Sequence, residues 1–188
     1  YTNPMAMVTW ACSTATSIQN VGLCHSVQGT HRQLCGYLGI DYEHTTRRVG
    51  GINHQAWFVE FRQDGEDLYP QLRDAMQDPA VFSKDPVRFE IMKHFGYFVT
   101  ESSAHNSEYL PWFRKDADTM QRFGMKPREP HRDAPQGRRE AFRKRYYDED
   151  GNLKHTNLDP SREFASGIME AVVTNKPFIF VGSVMNNA

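Results

Sequence analysis

The stretch VGGINHQAWFVEF at residues 49–61 decides the fold more than any other part of the chain. Residues 49–54 and 57–61 predict two strand segments, because β-branched and aromatic side chains recur in both. A glycine pair loosens the first segment, and Asp64-Gly65 marks a turn after the second. The first segment ends in Asn53-His54, so it leads into polar side chains that could take part in a site.

Helix patterns surround these strands on both sides. The predicted helices run from Pro4 to about residue 17, from Ser26 to a stop at Gly39, and around residues 68–76, 87–95, 103–113 and 164–172, the last capped by Ser161. Short strands are predicted at residues 21–25 and 178–181. This mixed order of helices and scattered strands indicates an α/β fold with some α+β character.

Composition excludes several classes of protein. The chain has 188 residues, is 39% hydrophobic and 12% aromatic, and carries a net charge of -1, which argues against disorder and against a nucleic-acid partner. No apolar run is long enough to cross a membrane. Three cysteines are too few for a secreted disulfide scaffold, so a cytoplasmic location is expected. The basic cluster at residues 138–145 is accompanied by Glu140, Asp148 and Glu149 and is interpreted as a solvated helix face.

Cys24-His25-Ser26 and Asn53-His54 each follow a predicted strand. Thiolate and imidazole are both good ligands for a divalent metal, so these residues could share an ion at a sheet edge. Spacing alone leaves two other interpretations open. Cys24 could be a buried structural cysteine beside a satisfied histidine, or a nucleophile activated by histidine with Asn53 as the orienting group.

A second unusual stretch covers residues 95–109, FGYFVTESSAHNSEY. It surrounds an aromatic, strand-like core with titratable groups, which is costly unless those groups are used or hydrogen-bonded. Two interpretations are equally favoured: Ser102 or Ser103 caps a helix, or the stretch contributes to a functional site.

Four motifs together resemble glycoside hydrolase family 4. In chain order they are Asn3-Pro4-Met5-Ala6-Met7, Gly22-Leu23-Cys24-His25-Ser26-Val27-Gln28-Gly29-Thr30, Gly51-Ile52-Asn53-His54, and Phe95-Gly96-Tyr97-Phe98-Val99-Thr100-Glu101-Ser102-Ser103. Within that family, Cys24-His25-Ser26-Val27 is similar to the α-galactosidase branch. The resemblance implies a Rossmann-like NAD-domain remnant at residues 1–45 and the C-terminal substrate and metal domain at residues 46–188.

The resemblance also implies an unusual hydrolysis of α-galactosides. In the family, the sugar is oxidised at carbon 3 by NAD, loses the proton on carbon 2 to a base, and then loses the glycosidic oxygen by elimination. Water adds back and the hydride returns. A divalent metal, usually manganese, holds the oxygens on carbons 2 and 3. Thiolate softness by itself would favour zinc, so manganese is carried by the resemblance alone.

The family's roles can be carried onto matching residues. Cys24 and His54 correspond to the metal ligands, while Asn3, His25 and Asn53 correspond to residues that contact substrate. Tyr97 corresponds to the tyrosine base, and His105 and Tyr109 are weaker candidates for protonating the leaving group. The family's glycine-rich dinucleotide turn has no counterpart here, so the NAD-binding residues stay unassigned and an internal piece of a longer enzyme is expected.

Several alternatives stay open. An α-glucosidase or α-galacturonidase of the same family would share the chemistry, and a dehydrogenase of the related lactate/malate group would use His54 as its proton acceptor. A purely structural and oligomerisation fragment is the third possibility. The expected partners are an α-galactoside and further copies of the chain in a homo-oligomer, with no membrane and no nucleic acid.

Overall fold

The computed structural model describes residues 4–126, 135–154 and 164–185, and their mixed α/β character confirms the predicted fold class. The helices of this part are α1 (Met5–Ala15), α2 (Ser26–Leu38), a 3-10 turn (Tyr42–His44), α3 (Tyr69–Ala75), α4 (Pro79–Phe82), α5 (Pro86–Phe95), α6 (Ser103–Tyr109), α7 (Ala117–Arg122), α8 (Pro135–Tyr146) and α9 (Ala165–Thr174). The strands are β1 (Thr45–Ile52), β2 (Gln55–Gln63), β3 (Glu66–Asp67) and β4 (Phe98–Val99). None of these helices combines the length and apolarity that crossing a membrane requires.

The chain separates into two compact units. One contains residues up to Met125 together with those from Phe164 onward, and Lys126–Glu163 form the other. The first unit carries the sheet and every candidate site residue that the structure describes. The second contains α8, whose last turn is basic with Arg143, Lys144 and Arg145.

The sheet is antiparallel and is built around β2. Strand β1 pairs along its length with β2, while β3 and β4 both pair with β2. Asn53-His54 therefore forms the two-residue connection between β1 and β2, since Ile52 pairs directly with Gln55. The sequence interpretation assumed a sheet edge at which successive strands end together. Instead, the polar pair lies at the tip of a hairpin.

The hairpin needs the glycine at position 51. Gly51 has φ +133, and a Cβ atom there would come within 2.6 Å of the carbonyl oxygen of Gln55. His54, two residues from the end of β1, also has a positive φ of 63. The close approach of Gly51 to β2 and the left-handed turn at His54 together determine the direction in which the His54 side chain projects from the sheet.

The first two helices follow their sequence signals closely. Pro4 is the N-cap residue of α1, and α2 ends at Gly39, which has φ 67 and closes the helix in the left-handed conformation. The strands predicted at residues 21–25 and 178–181 are not formed. A single isolated bridge between Gly22 and Ser183 joins these segments, so neither obtains the ladder of hydrogen bonds that makes a strand.

Two later helices differ from their predicted bounds. Helix α6 was expected to reach residue 113, but it ends at Tyr109 because Leu110 precedes a proline and takes an extended conformation with φ -112 and ψ 136. The helix predicted at 164–172 is present as α9. Ser161, its predicted cap, lies outside the described residues.

The main core packs α2, α3 and α5 against β2 and β4. Its fully buried side chains come from all five elements and are Leu34, Phe58, Phe61, Leu72, Phe89 and Phe98. A second cluster of Val87, Ile91, Val99, Phe113 and Phe123 lies beside α5. This burial anchors the elements from which the candidate site projects.

A buried histidine lies within the main core. His31 on α2 is fully buried, and its ring lies 4.4 Å from the ring of Tyr42. Its Nε2 lies 2.7 Å from Thr45 Oγ1, whose own hydroxyl donates to the carbonyl of Tyr42, and its Nδ1 lies 2.7 Å from an Arg47 nitrogen. The imidazole is therefore neutral, donating from Nε2 and accepting at Nδ1. Burial first, and then the charges of Arg47 and Arg32, lower the pKa of His31 to about 4.

This buried histidine predicts a specific acid sensitivity. The unfolded chain binds the proton near the ordinary pKa of about 6.5, so the contribution of His31 to stability is complete above that pH and is lost as the pH falls toward 4. The free energy of unfolding should fall by about 2–3 kcal/mol between pH 7.5 and 4.5 through this group alone. Urea unfolding with EDTA present measures it. The His31→Gln protein should show a correspondingly shallower pH slope, whereas the exposed-site control His44→Gln should keep the wild-type slope; equal slopes in all three would contradict the assignment.

Candidate metal centre and substrate cleft

Cys24 occupies the segment that leads directly into α2. Its Sγ donates to Ser26 Oγ across 3.2 Å, and its side chain is partly buried. The sequence interpretation had the cysteine end a strand, but residues 21–25 form only the isolated bridge, and His25 is the N-cap residue of α2. The structure thus holds the thiol at the start of a helix that is itself anchored in the core.

His54 projects from the tip of the β1–β2 hairpin with both ring nitrogens engaged. Its Nε2 lies 3.4 Å from Glu101 Oε1, and its Nδ1 lies 3.2 Å from the hydroxyl of Tyr109. The rings of His54 and Tyr109 are also stacked, with an interplanar angle of 26°. These contacts fix the orientation of the imidazole, as is usual for a histidine that ligates a metal.

Glu101 joins this pair, although no role was predicted for it from sequence. It lies just after β4, and the residue before it, Thr100, is hydrogen-bonded to Ala56 of β2. The N–H of Thr100 donates to the Ala56 carbonyl at 2.8 Å, and Thr100 Oγ1 accepts from the Ala56 N–H at 3.2 Å. Ala56 lies only two residues after His54, so this pairing brings Glu101 to the hairpin tip. The polar residues after β4 were the sequence signal that could have indicated Glu101. Only the pairing of β4 with β2 shows that these residues lie at the hairpin tip.

The three side chains form a set of possible metal ligands. One donor atom each from Cys24, His54 and Glu101 lies within 4.8 Å of the others, and all three residues are partly buried. Ligands bound at about 2.0–2.3 Å are separated from one another by roughly 3–4 Å, so a closure of about 1 Å would complete the set. Thiolate, imidazole and carboxylate together suit a divalent transition metal. The residues present therefore fit such an ion.

A cleft of about 500 Å³ opens over these ligands. Its polar lining includes His25 and Asn53 beside Cys24, His54 and Glu101, and the start of α1 contributes Met5, Ala6 and Met7. Four of the six residues expected at the site therefore line one cleft. His25 is exposed and packs edge-on against Phe164. Asn3, the fifth, lies outside the described residues.

Tyr97, the sixth, lies elsewhere. It is 46% exposed, and its ring packs edge-on against Tyr69 at 5.6 Å. The cleft that it lines also includes Arg62, Asp67 and Arg73, and Cys24 and His54 are not part of that lining. The tyrosine that contacts a candidate ligand is Tyr109.

Tyr109 and His105 lie on α6 beside the ligands. Burial first, and then the negative charges of Glu101, Glu108 and Cys24, raise the pKa of Tyr109. His105 Nδ1 lies 3.8 Å from Glu101 Oε2 and 2.9 Å from Ser102 Oγ. Ser102 Oγ also accepts from the His105 N–H at 3.2 Å, so the helix cap and the site, which the sequence left as alternatives, occur together.

Left-handed backbone conformations occur at two of the three possible ligands. Among the described non-glycine residues, positive φ values occur at His54, Asp64, Glu101 and Asn175. His54 and Asp64 lie in two-residue hairpin loops and Asn175 caps α9, which are positions where a positive φ is usual. Glu101 at φ 71 is not part of a hairpin loop, and its conformation costs about 1–3 kcal/mol. This strain falls on a residue of the ligand set.

Two sequence models of one family match this chain. Residues 1–40 match the sequence model of family 4 glycosyl hydrolases, and residues 49–188 match that of the family 4 C-terminal domain. An alpha-galactosidase of Bacillus subtilis (strain 168) is 42% identical over 191 residues, covering 99% of this chain and 43% of that protein. An alpha-galactosidase of Rhizobium meliloti (strain 1021) is 42% identical over 125 residues, covering 65% of this chain and 26% of its own length.

The fold has a solved counterpart. The crystal structure of lplD, a proposed glucosidase from Bacillus subtilis, superposes with a TM-score of 0.67 at 22% identity, covering 91% of this chain and 44% of that one. At this identity the similarity concerns the fold alone. The chain spans less than half the length of each of these three proteins.

Proposed function

The chain belongs to glycosyl hydrolase family 4, and from that premise we propose that it forms the metal- and substrate-binding part of an enzyme that hydrolyses α-galactosides. One observation carries the proposal: Cys24 and His54, far apart in sequence, lie together in a cleft that is also lined by His25 and Asn53. The 42% identity to an alpha-galactosidase along 99% of the chain favours galactose as the sugar.

The resident metal in this proposal is manganese, held by Cys24 and His54. When bound, the metal supplies Lewis-acid stabilisation of negative charge on the sugar oxygens beside it. NAD, when bound, supplies the redox chemistry at carbon 3. The thiolate form of Cys24 is the ligand, so the protein should need reducing conditions to keep its metal.

The substrate would be oriented by the polar lining of the cleft. His25 is exposed and offers ring nitrogens, and Asn53 offers an amide from the same hairpin turn as His54. Asn3 stays a predicted contact to the sugar hydroxyls. The apolar side chains of Met5 and Met7 also line the cleft.

Proton transfer at carbon 2 needs a base on the protein, and the geometry favours Tyr109. A metal bound at His54 Nε2 would leave the ring proton on Nδ1, which would donate to Tyr109 Oη, 3.2 Å away. That bond would hold the phenol oxygen beside a ligand ring and oppose the rise in pKa that burial and the neighbouring carboxylates cause at Tyr109. Tyr97 stays the base that the family resemblance predicts, so the two tyrosines are rival assignments within one mechanism.

Turnover of p-nitrophenyl α-galactoside tests the proposal. The full-length protein, supplied with Mn²⁺, NAD and a reductant, should cleave it faster than the α-glucoside, because the sequence identity is to alpha-galactosidases. Chelation should abolish activity, and solvent deuterium should appear at carbon 2 of the product. Faster α-glucoside or α-galacturonide cleavage would transfer the function to another member of the family. Metal-independent activity without deuterium uptake would favour a dehydrogenase that uses His54 as its proton acceptor.

The domain boundary near residue 45, the homo-oligomer and the cytoplasmic location stay predictions. The expected assembly can be measured in the same preparation by sedimentation velocity with and without Mn²⁺ and NAD.

A further inference from the structure

We propose that Glu101 is a third protein ligand of the metal, and that its carboxylate makes this Cys–His site suitable for manganese. The proposal rests on the metal site of the proposed function and extends it to a residue outside the Cys24–His54 pair. Three observations support it: the position of the carboxylate, the contacts that hold its loop, and the chemistry of the donor set.

The carboxylate is close to both other ligands and shielded from water. Glu101 Oε1 lies 3.4 Å from His54 Nε2, and the Glu101 side chain is only 13% exposed. A carboxylate oxygen of Glu101 lies within 4.8 Å of the donor atoms of Cys24 and His54. A divalent cation held between the Glu101 carboxylate and the Cys24 sulfur would be attracted by both groups, so their proximity favours a metal at this position.

Hydrogen bonds hold the residues before and after Glu101. Thr100, before it, is buried and exchanges hydrogen bonds with Ala56 of β2. The fully buried Asn106 donates from Nδ2 to the carbonyls of Thr100 at 2.9 Å and Ser102 at 3.1 Å, spanning Glu101. These contacts hold the left-handed conformation of Glu101 and restrict where its carboxylate can point.

A buried ion pair connects this loop to the helix behind Cys24. Ser103, two residues after Glu101, donates to Asp85 Oδ1, and Asp85 pairs through Oδ2 with Arg88. Arg88 is 1% exposed, and it donates to Thr30 Oγ1 at 3.0 Å and to Gln33 Oε1 at 2.6 Å, both on α2. Cys24 lies two residues before the start of α2. The same network thus positions the carboxylate ligand and the thiol ligand relative to each other.

Donor chemistry gives the carboxylate a function. A thiolate and an imidazole alone favour softer ions such as zinc, whereas manganese prefers oxygen ligands. A carboxylate adds a hard oxygen, and with the thiolate it balances the charge of a divalent ion. Glu101 would therefore contribute more to the affinity for Mn²⁺ than to the affinity for Zn²⁺.

Metal binding by the full-length protein tests the role of Glu101. Free Mn²⁺ is measured by electron paramagnetic resonance, and Zn²⁺ binding by competition with a chromophoric chelator. Glu101→Gln should weaken Mn²⁺ binding by about 50-fold and Zn²⁺ binding by about fivefold or less. Glu108→Gln, on the helix α6 that follows Glu101 and also close to Tyr109, is the matched control and should bind both ions as the wild type does.

A second variant tests the positioning network without removing a ligand. Ser103→Ala should weaken Mn²⁺ binding by about tenfold, and Ser103→Thr, which keeps the hydroxyl, should restore it. Mn²⁺ binding by Glu101→Gln within threefold of the wild type would overturn the proposal and leave the carboxylate as a hydrogen-bond partner of His54. A wild-type protein that does not bind Mn²⁺ would instead overturn the metal site of the proposed function, and the role of Glu101 with it.

Discussion

Replacement of Cys24 by serine is expected to lower turnover by more than about 1,000-fold and Mn²⁺ affinity by more than about 100-fold. The thiolate is a protein ligand in the proposed site, and a serine hydroxyl stays protonated near neutral pH and binds a divalent ion weakly. Folding should be nearly unaffected, because Cys24 is only partly buried and makes one side-chain hydrogen bond, to Ser26. The change in the free energy of unfolding should stay within about 1 kcal/mol.

The other two cysteines supply the controls for this variant. Cys12 is also partly buried, and it contacts Thr16 on α1. Cys12→Ser should keep wild-type metal binding and turnover. Cys35 is buried in the core, and burial raises the pKa of its thiol. Alkylation of the folded protein should therefore spare Cys35. The same reagent should modify Cys24 unless Mn²⁺ is present. Equal loss of activity in Cys12→Ser and Cys24→Ser, or alkylation of Cys24 that Mn²⁺ does not slow, would contradict a ligand role.

The residue types of Cys24 and His54 allowed a shared metal, but only the family resemblance favoured it. Spacing alone also left Cys24 open as a structural residue or a nucleophile, since two donors 30 positions apart in a chain have no fixed geometry until the fold is known. The sequence predicted strands at 49–54 and 57–61 because their side chains are β-branched and aromatic, and these segments overlap β1 (Thr45–Ile52) and β2 (Gln55–Gln63) without matching their ends. The two strands pair antiparallel across Asn53-His54, with Ile52 opposite Gln55. This register cannot be read from composition.

Glu101 shows why the rest of the site could not be predicted. Its position depends on β4, a strand of two residues whose pairing with β2 is tertiary and leaves little signal in the sequence. The same pairing separates Tyr97 from the ligands, because Tyr97 precedes β4 and Glu101 lies beyond its other end. A motif match treats residues 95–103 as one unit. In the structure, β4 lies in the middle of this stretch, so that the residues before it and the residues after it line different clefts.

Tyr109→Phe is expected to lower the turnover number by about 1,000-fold, within the range of about 10²–10⁴ that a general acid or base contributes. The substitution removes only the hydroxyl that lies 3.2 Å from His54 Nδ1 and leaves the stacked ring in place. Because that hydroxyl helps to orient a ligand ring, Mn²⁺ affinity should also fall, though by no more than about tenfold. Turnover must therefore be measured at saturating Mn²⁺, where only the loss of proton transfer remains.

Tyr97→Phe is the matched control, since it removes a hydroxyl from another exposed tyrosine of the same sequence stretch. Its ring contact with Tyr69 survives the change, and the cleft that it lines does not include Cys24 or His54. Turnover by Tyr97→Phe should stay within about threefold of the wild type, and solvent deuterium should still enter carbon 2 of the product. Tyr109→Phe should lose that exchange together with turnover. The opposite result, with Tyr97→Phe inactive and Tyr109→Phe near normal, would restore Tyr97 as the base and require the cleft around Tyr97 to meet the sugar in the working enzyme.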